Sequence, residues 1–174
     1  MSSKKYDDHQ HIQNISKITC ITYTYLSGND RPGDKMLTTR DLMTAKPIHV
    51  SVHTNIHKAR MLMAEHKLRH LPVKDIDTGK TVGIVNQKRL LKHAIAIVSK
   101  QGFDKLEHQE KSENVESIMN DQPMIFDINA QLLDIAKSLR ELKSGCICIE
   151  ENNQLVGVIT SSDFIKLAIA KLEK

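Results

Sequence analysis

The stretch GVITSSDFI at residues 157–165 has a counterpart, GIVNQKRLL, at residues 83–91. Each reads as the end of a strand, a turn and the start of a helix. A Gly and β-branched residues come first, then a polar residue suited to capping, then a helix-forming run. The charge at the turn is reversed between the two. One copy carries Thr160, Ser162 and Asp163, whereas the other carries Asn86, Lys88 and Arg89.

The duplication runs well beyond these stretches. Met43 and Met119 are 76 residues apart, as are Pro47 and Pro123. Each Pro opens a short extended segment, PIHVSV at 47–52 and PMIFDI at 123–128. Both alternate apolar and polar residues as a half-buried strand does. A helix follows in each copy, with apolar residues at helical spacing: Ile56, Ala59 and Met63, then Leu132, Ile135 and Leu139. Asn55 and Gln131 precede these faces, and Thr54 or Asn129 is placed to cap them. Next come the strands RHLPVKDI and GCICIEEN, the turns DTGK and NNQ, and the glycine-marked strands TVGIV and LVGVI. The offset there is 74, because the second turn is two residues shorter. Helices at 87–100 and 161–172 close the two copies.

One unit is thus β-α-β-β-α, written twice. A single unit has too little interior to stand comfortably alone, and two in tandem cover each other's sheets. The predicted fold is α+β, with α/β-like units: two pseudo-symmetric β-α-β-β-α motifs packed sheet to sheet. Residues 1–35 form an N-terminal extension, 36–100 the first motif, 101–114 a charged connector able to extend a helix, and 115–172 the second motif. Within the extension, KITCITYTYL at 17–26 alternates enough for an added strand, while SGNDRPGDK is a loop.

Apolar residues make up 40% of the 174, enough for a real interior, whereas aromatics are 3% and Trp is absent. The core is therefore aliphatic, and few aromatic platforms exist for stacking single-stranded nucleic acid. No apolar run approaches the roughly 18–20 residues that span a bilayer, and the start of the chain holds no apolar signal segment. These features predict a cytoplasmic protein that stays off the membrane. Three cysteines, with Cys146 and Cys148 one residue apart, read as reduced thiols along one strand rather than a disulfide framework. The net charge of +4 is uneven: residues 36–99 carry 11 Lys/Arg against 4 Asp/Glu, and residues 100–174 carry 9 against 13. A basic first repeat faces an anion, the other repeat or nucleic acid.

The openings DLMTAKPIHV and ESIMNDQPMIF, the central LRHLPVKD and the endings GIVNQKRLL and GVITSSDFI together resemble a tandem pair of CBS domains. This module is named after cystathionine β-synthase, and the resemblance covers roughly residues 36–172. It implies two motifs that pack pseudo-symmetrically, form two clefts and associate into a flat homodimeric disk. It also implies a regulatory role without catalytic machinery. No resident cofactor is expected; AMP, ADP, ATP or S-adenosylmethionine would be a regulatory ligand.

The family's ligand signature is a Gly, two apolar residues, Ser or Thr, two variable positions and an Asp. The second copy supplies it as Gly157, Val158, Ile159, Thr160, Ser161, Ser162 and Asp163. A carboxylate there accepts hydrogen bonds from both ribose hydroxyls. Thr160 and Ser162, at a helix start, offer hydroxyl and backbone donors to a phosphate. By resemblance the adenine end of the same cleft comes from the first copy: Thr44, the Ile48–His49 backbone, Leu68 and Arg69. Arg69 and His70 are placed to approach a phosphate. The same residues have a plainer reading, since Thr160 and Asp163 also fit a capping box that needs no ligand; the two roles are compatible.

The first copy lacks the signature. Asn86 can still cap, but Arg89 cannot accept a hydrogen bond and so cannot hold a ribose. The second cleft, pairing Arg89 with Asn120 and Met124–Ile125, is expected to be empty or differently used. Arg89 and Lys88 are then solvated surface charges, or contacts to a phosphate seated in the other cleft. His9, His11, His49, His53, His57, His66 and His70 have no Cys or acidic partner at ligand spacing, so exposed polar histidines are expected and no metal site. Met61 is expected at the surface and Met63 in the core. No nucleophile–base–acid set and no Gly-rich phosphate loop is present. Two readings follow: an adenosine-nucleotide sensor, or a ligand-free module whose basic first repeat meets an acidic protein partner or, against the aromatic content, nucleic acid.

Overall fold

The computed structural model describes residues 37–142 and 145–173. The strand expected at 17–26 and the His9–His11 pair lie outside the described residues. A short helix α1 (Thr39–Leu42) is followed by β1 (Thr44–Ala45), β2 (Val50–Ser51), α2 (Ile56–Glu65), β3 (His70–Lys74), β4 (Thr81–Asn86) and α3 (Gln87–Gln101). Then come α4 (Leu106–Ser112), β5 (Ile125–Asp127), α5 (Leu132–Glu141), β6 (Cys146–Glu151), β7 (Gln154–Thr160) and α6 (Ser161–Leu172). From β2 to α3 and from β5 to α6 the order is β-α-β-β-α, and the fold is α+β as the duplication predicts.

Corresponding pairs keep one register in both copies. Val50 lies opposite Val73 and Ser51 opposite Lys74, while Phe126 lies opposite Ile149 and Asp127 opposite Glu150. The β6–β7 hairpin turns on Asn152 and Asn153, both at positive φ, which a tight two-residue turn requires and Asn tolerates.

The two copies exchange their openings. β1 of the first adds an edge strand to the sheet of the second, in the order β1-β7-β6-β5, with Thr44 opposite Val158. In return Asn120, at the opening of the second copy, bridges Ile84 of β4 in the sheet β2-β3-β4. Thr44 and Asn120 are equivalent positions, as are Val158 and Ile84, so the exchange is reciprocal. Side chains follow the backbone. Leu42 and Met43 are buried with Ile135, Leu139, Ile147 and Ile159, whereas Val115 and Ile118 are buried with Ile56, Met63, Leu71 and Val85. A third cluster of Ile84, Cys146 and Cys148 closes the space between the two sheets. The reciprocity explains the repeated Met and Gly. A Cβ on Gly157 would strike the Met43 side chain, and one on Gly83 would strike Met119.

Several local expectations need correction. Asn55, not Thr54, caps α2, accepting from the Lys58 N–H at 2.8 Å; Thr54 instead accepts from the Ser51 N–H. Asn129 donates to Asp127 and caps nothing, and Gln131 stands at the α5 N-cap without a side-chain bond. The charged connector is not merely a connector. Its α4 packs on the first motif and buries Glu110 completely, against Arg60 Nε at 2.7 Å and His57 Nδ1 at 3.7 Å. His57 is consequently half-buried rather than exposed. Met61 is exposed and Met63 buried, as the helical spacing requires.

Candidate functional site

The quoted stretch 157–165 becomes the end of β7 and the first turn of α6. Thr160 ends the strand in extended conformation, so its side chain and N–H both point toward the helix start. Asp163 closes that turn: its Oδ2 accepts from the Thr160 N–H and from the Thr160 hydroxyl, each at 2.8 Å. Its Oδ1 lies 3.5 Å from Lys166 Nζ. Asp163 is 5% exposed, and its carboxylate is oriented by three neighbouring groups: the Thr160 N–H, the Thr160 hydroxyl and the Lys166 ammonium. Lys166, three residues on, is a neighbour that helical spacing alone predicts.

Arg69 comes to the same place from the other copy. Its Nη2 donates to Ser162 Oγ at 2.6 Å, across 93 residues of sequence. Gln87 holds the Arg69 backbone there, its N–H bonded to the Arg69 carbonyl and its Nε2 to the Leu68 carbonyl at 3.1 Å. Gln87 is a residue that motif reasoning passes over, because its partners are carbonyls rather than side chains. Leu68 is partly buried against the first core, and His70 begins β3 opposite Asn86. Thr44 lies opposite Val158, two residues before Thr160. The cleft between β1, the start of β3 and the β7–α6 turn thus gathers Thr44, Arg69, Thr160, Ser162 and Asp163, with Leu68, His70 and Ser161 beside them in sequence.

Ile48 and His49 are not drawn into it by any contact. Ile48 packs on the first core. His49 is exposed, with Nδ1 3.0 Å from the Pro47 carbonyl. His49 instead helps line an open groove of about 460 Å³ with Ser51, Lys58, Lys74 and Asp75, at the other end of β3. That groove contains none of Thr160–Asp163.

At the first copy, Arg89 is exposed, as the surface-charge expectation has it, but its side chain is also engaged by the chain itself. Asn86 caps α3 through the Arg89 N–H at 2.9 Å, as expected. The Arg89 guanidinium reaches the opening of the second copy, where Nη1 donates to the carbonyls of Ile118 and Met119, both at 2.9 Å. A cation therefore spans the place equivalent to the one where Asp163 sits. Cys146 and Cys148 are buried free thiols. Burial raises both thiols, that of Cys148 to about 12, as the strand reading implies. Among the described residues no three His, Cys, Asp or Glu side chains gather to hold a metal, and no helix is long and apolar enough to cross a membrane.

A family model for the CBS domain matches residues 40–96 and again 115–170. The chain belongs to the CBS-domain family. As a CBS pair it is similar to the uncharacterized protein MJ1404 of Methanocaldococcus jannaschii, 29% identical over 136 residues, which are 76% of this chain and 32% of that protein. The chain thus spans about a third of that relative's length. Among solved structures it is similar to CBSX2 of Arabidopsis thaliana, with 26% identity and a TM-score of 0.66, covering 80% of this chain and 99% of that one. CBSX2 has also been solved in complex with AMP, and that structure is 25% identical at a TM-score of 0.64, covering 80% and 100%. The CBS domain pair of MJ0100, solved with 5′-methylthioadenosine and S-adenosyl-L-methionine, shares the fold at 20% identity and a TM-score of 0.64, covering 79% and 99%.

Proposed function

We propose that this CBS pair is a non-catalytic regulatory module that binds an adenosine-containing nucleotide of the AMP, ADP or ATP class in the Asp163 cleft. It signals by changing its shape or its homodimer, and so its affinity for a protein partner. One observation carries the reading: Arg69 of the first motif meets Ser162 of the second, beside a buried, oriented Asp163. Capping occupies Oδ2 of that carboxylate and leaves Oδ1 to accept from ribose hydroxyls. Arg69, the Ser162 hydroxyl and the first turn of α6 converge where a phosphate would sit. The AMP complex of CBSX2 supports the ligand class. Arg89 makes the opposite cleft self-occupied, which gives one nucleotide per chain.

Thermal melting with AMP, ADP, ATP and S-adenosylmethionine in turn tests this. A ligand at about 100 times its dissociation constant adds about 2.7 kcal/mol to stability. The expected outcome is a shift with a phosphate-bearing nucleotide that Asp163→Ala abolishes. No shift with any of the four, or an unchanged shift in Asp163→Ala, overturns the site. A second reading, a ligand-free module meeting an acidic partner through its first motif, is favoured by the Lys58 and Lys74 groove, where neither cation has an ion-pair partner among the described residues. If that partner were nucleic acid, affinity would fall steeply with salt.

A further inference from the structure

The duplication supplies an internal comparison for the open groove beside β3. The two registers make Lys74 equivalent to Glu150 and Ser51 equivalent to Asp127. The helices that follow both run for ten residues, Ile56–Glu65 and Leu132–Glu141, which makes Lys58 equivalent to Asp134. Lys58, Lys74 and Ser51 all line the groove, and all three of their equivalents in the second copy are acids. One backbone thus accepts either charge at these places, and the cations are not there to make it fold.

Stability in fact favours the acids. Lys58 stands in the first turn of α2, which holds no acid, and a cation there opposes the helix dipole. Asp134, in the same turn of α5, is aligned with it. Lys74 is half-buried, and neither it nor Lys58 has an ion-pair partner among the described residues. Glu150, at the place of Lys74, accepts from the Thr81 N–H at 3.1 Å. A cation set against a dipole and another half-withdrawn from water without a counter-ion both depart from what folding asks. Such departures collect at functional sites, and these two meet at one groove. Beside them lie the Ser51 and Thr54 hydroxyls, 3.3 Å apart. The acid of the wall, Asp75, spends Oδ1 on its own turn, accepting from the Asp77 and Thr78 N–H groups and the Thr78 hydroxyl.

The chemistry of the lining selects the occupant. Two ammonium groups are compact point charges rather than planar forks, and with hydroxyl donors beside them they suit a phosphate. A volume of about 460 Å³ is that of a small-molecule site, whereas a stable protein contact covers roughly 800 Å² on each partner.

We infer that this groove is a second anion site, which holds the phosphate group of a small ligand between Lys58 and Lys74. It shares no residue with Arg69, Ser162 or Asp163, and so goes beyond the nucleotide reading above. Titration of the full chain with inorganic phosphate, then with pyrophosphate, tests it at constant ionic strength, followed through the backbone amides by NMR. An Arg69→Ala background removes the cation of the other cleft. The expected result is a saturable shift at Ser51, Thr54, Lys58 and Lys74, weakened about tenfold or more by Lys58→Gln or Lys74→Gln. Lys92→Gln, on α3, should change nothing. Lys58→Asp with Lys74→Glu copies the second repeat, so it should keep the fold and abolish binding. Shifts that never saturate, or that Lys92→Gln weakens equally, report general charge attraction and overturn the site. Saturation with polyglutamate but with neither phosphate overturns the small ligand and gives the groove to an acidic protein segment. None of these outcomes depends on whether a nucleotide binds at Asp163.

Discussion

Met43 seats on Gly157 and Met119 on Gly83, so two residue types spaced alike in each copy are contacts between copies. A methyl group on Gly157 would stand 2.9 Å from Met43 Cγ and 3.1 Å from its Cβ, too close without movement of the strand or the side chain. Gly157→Ala is therefore expected to cost about 1–3 kcal/mol through overpacking. Met43→Ala should cost about 2–5 kcal/mol through the cavity it leaves. The double variant should lose clearly less than the sum, because each change relieves the other. Urea unfolding of the three variants checks this, and strict additivity would refute the contact. The letters alone show that Met43 and Met119 are equivalent but not that each serves the other copy, since a repeat reports equivalence and never pairing. Arg89 was illegible for a related reason. Its acceptors are two backbone carbonyls about thirty residues away, which leave no mark on residue identity. Arg89→Ala should cost about 1–2 kcal/mol in stability and leave nucleotide affinity at Asp163 unchanged, which melting with and without ligand separates. The Thr160–Asp163 contacts, by contrast, were legible, because a capping box needs a hydroxyl and an acid at fixed spacing on one turn.

Among elements, α4 departs furthest from what its composition implies. Its charged residues read as a solvated connector, yet Glu110 is fully buried on the first motif, with Arg60 holding Oε2 and Oε1 unpartnered. Polarity averaged over a window cannot reveal one inward carboxylate whose partner lies fifty residues earlier. Removing only the cation strands that carboxylate, so Arg60→Ala should destabilise by about 3 kcal/mol. Adding Glu110→Leu should recover most of the loss, and denaturant midpoints of the single and double variants decide it. The end of α4 is also sensitive to acid. Glu113 is held below its ordinary value of 4.5, first by the Gln109 side chain; burial opposes this, and His93 lowers it further. A carboxylate depressed in the folded state stabilises it above the ordinary value, and that contribution is lost as pH falls through the folded value. Melting temperature should therefore drop below about pH 4.5, and Glu113→Gln should lessen that part of the drop. An identical acid profile in the variant would remove Glu113 from the explanation.

For the whole molecule, tandem repetition and the β-α-β-β-α order were readable from periodicity and turn residues, and the sheet-to-sheet core followed from the need to cover two half-buried sheets. The reciprocal exchange of openings was not readable, because strands as short as Thr44–Ala45 carry no periodic signal. It nonetheless governs cooperativity. The second sheet takes its edge strand β1 and the buried Leu42 and Met43 from the start of the first copy. The first core takes Val115 and Ile118 from the start of the second. Cutting the chain between the copies therefore removes core residues from both halves, although each half holds a complete β-α-β-β-α unit. A fragment of residues 115–174 should show no cooperative thermal transition, whereas the full chain should unfold in a single step by circular dichroism and by calorimetry. Supplying residues 1–114 in trans should restore a transition, because the exchanged openings then meet their sheets. A cooperative melt of the short fragment alone would show that the exchange is dispensable. On the function proposed above, the same dependence gives a nucleotide its leverage: a ligand bridging Arg69 and Asp163 would draw on both copies at once, so its binding should raise the melting temperature of the single transition rather than split it in two.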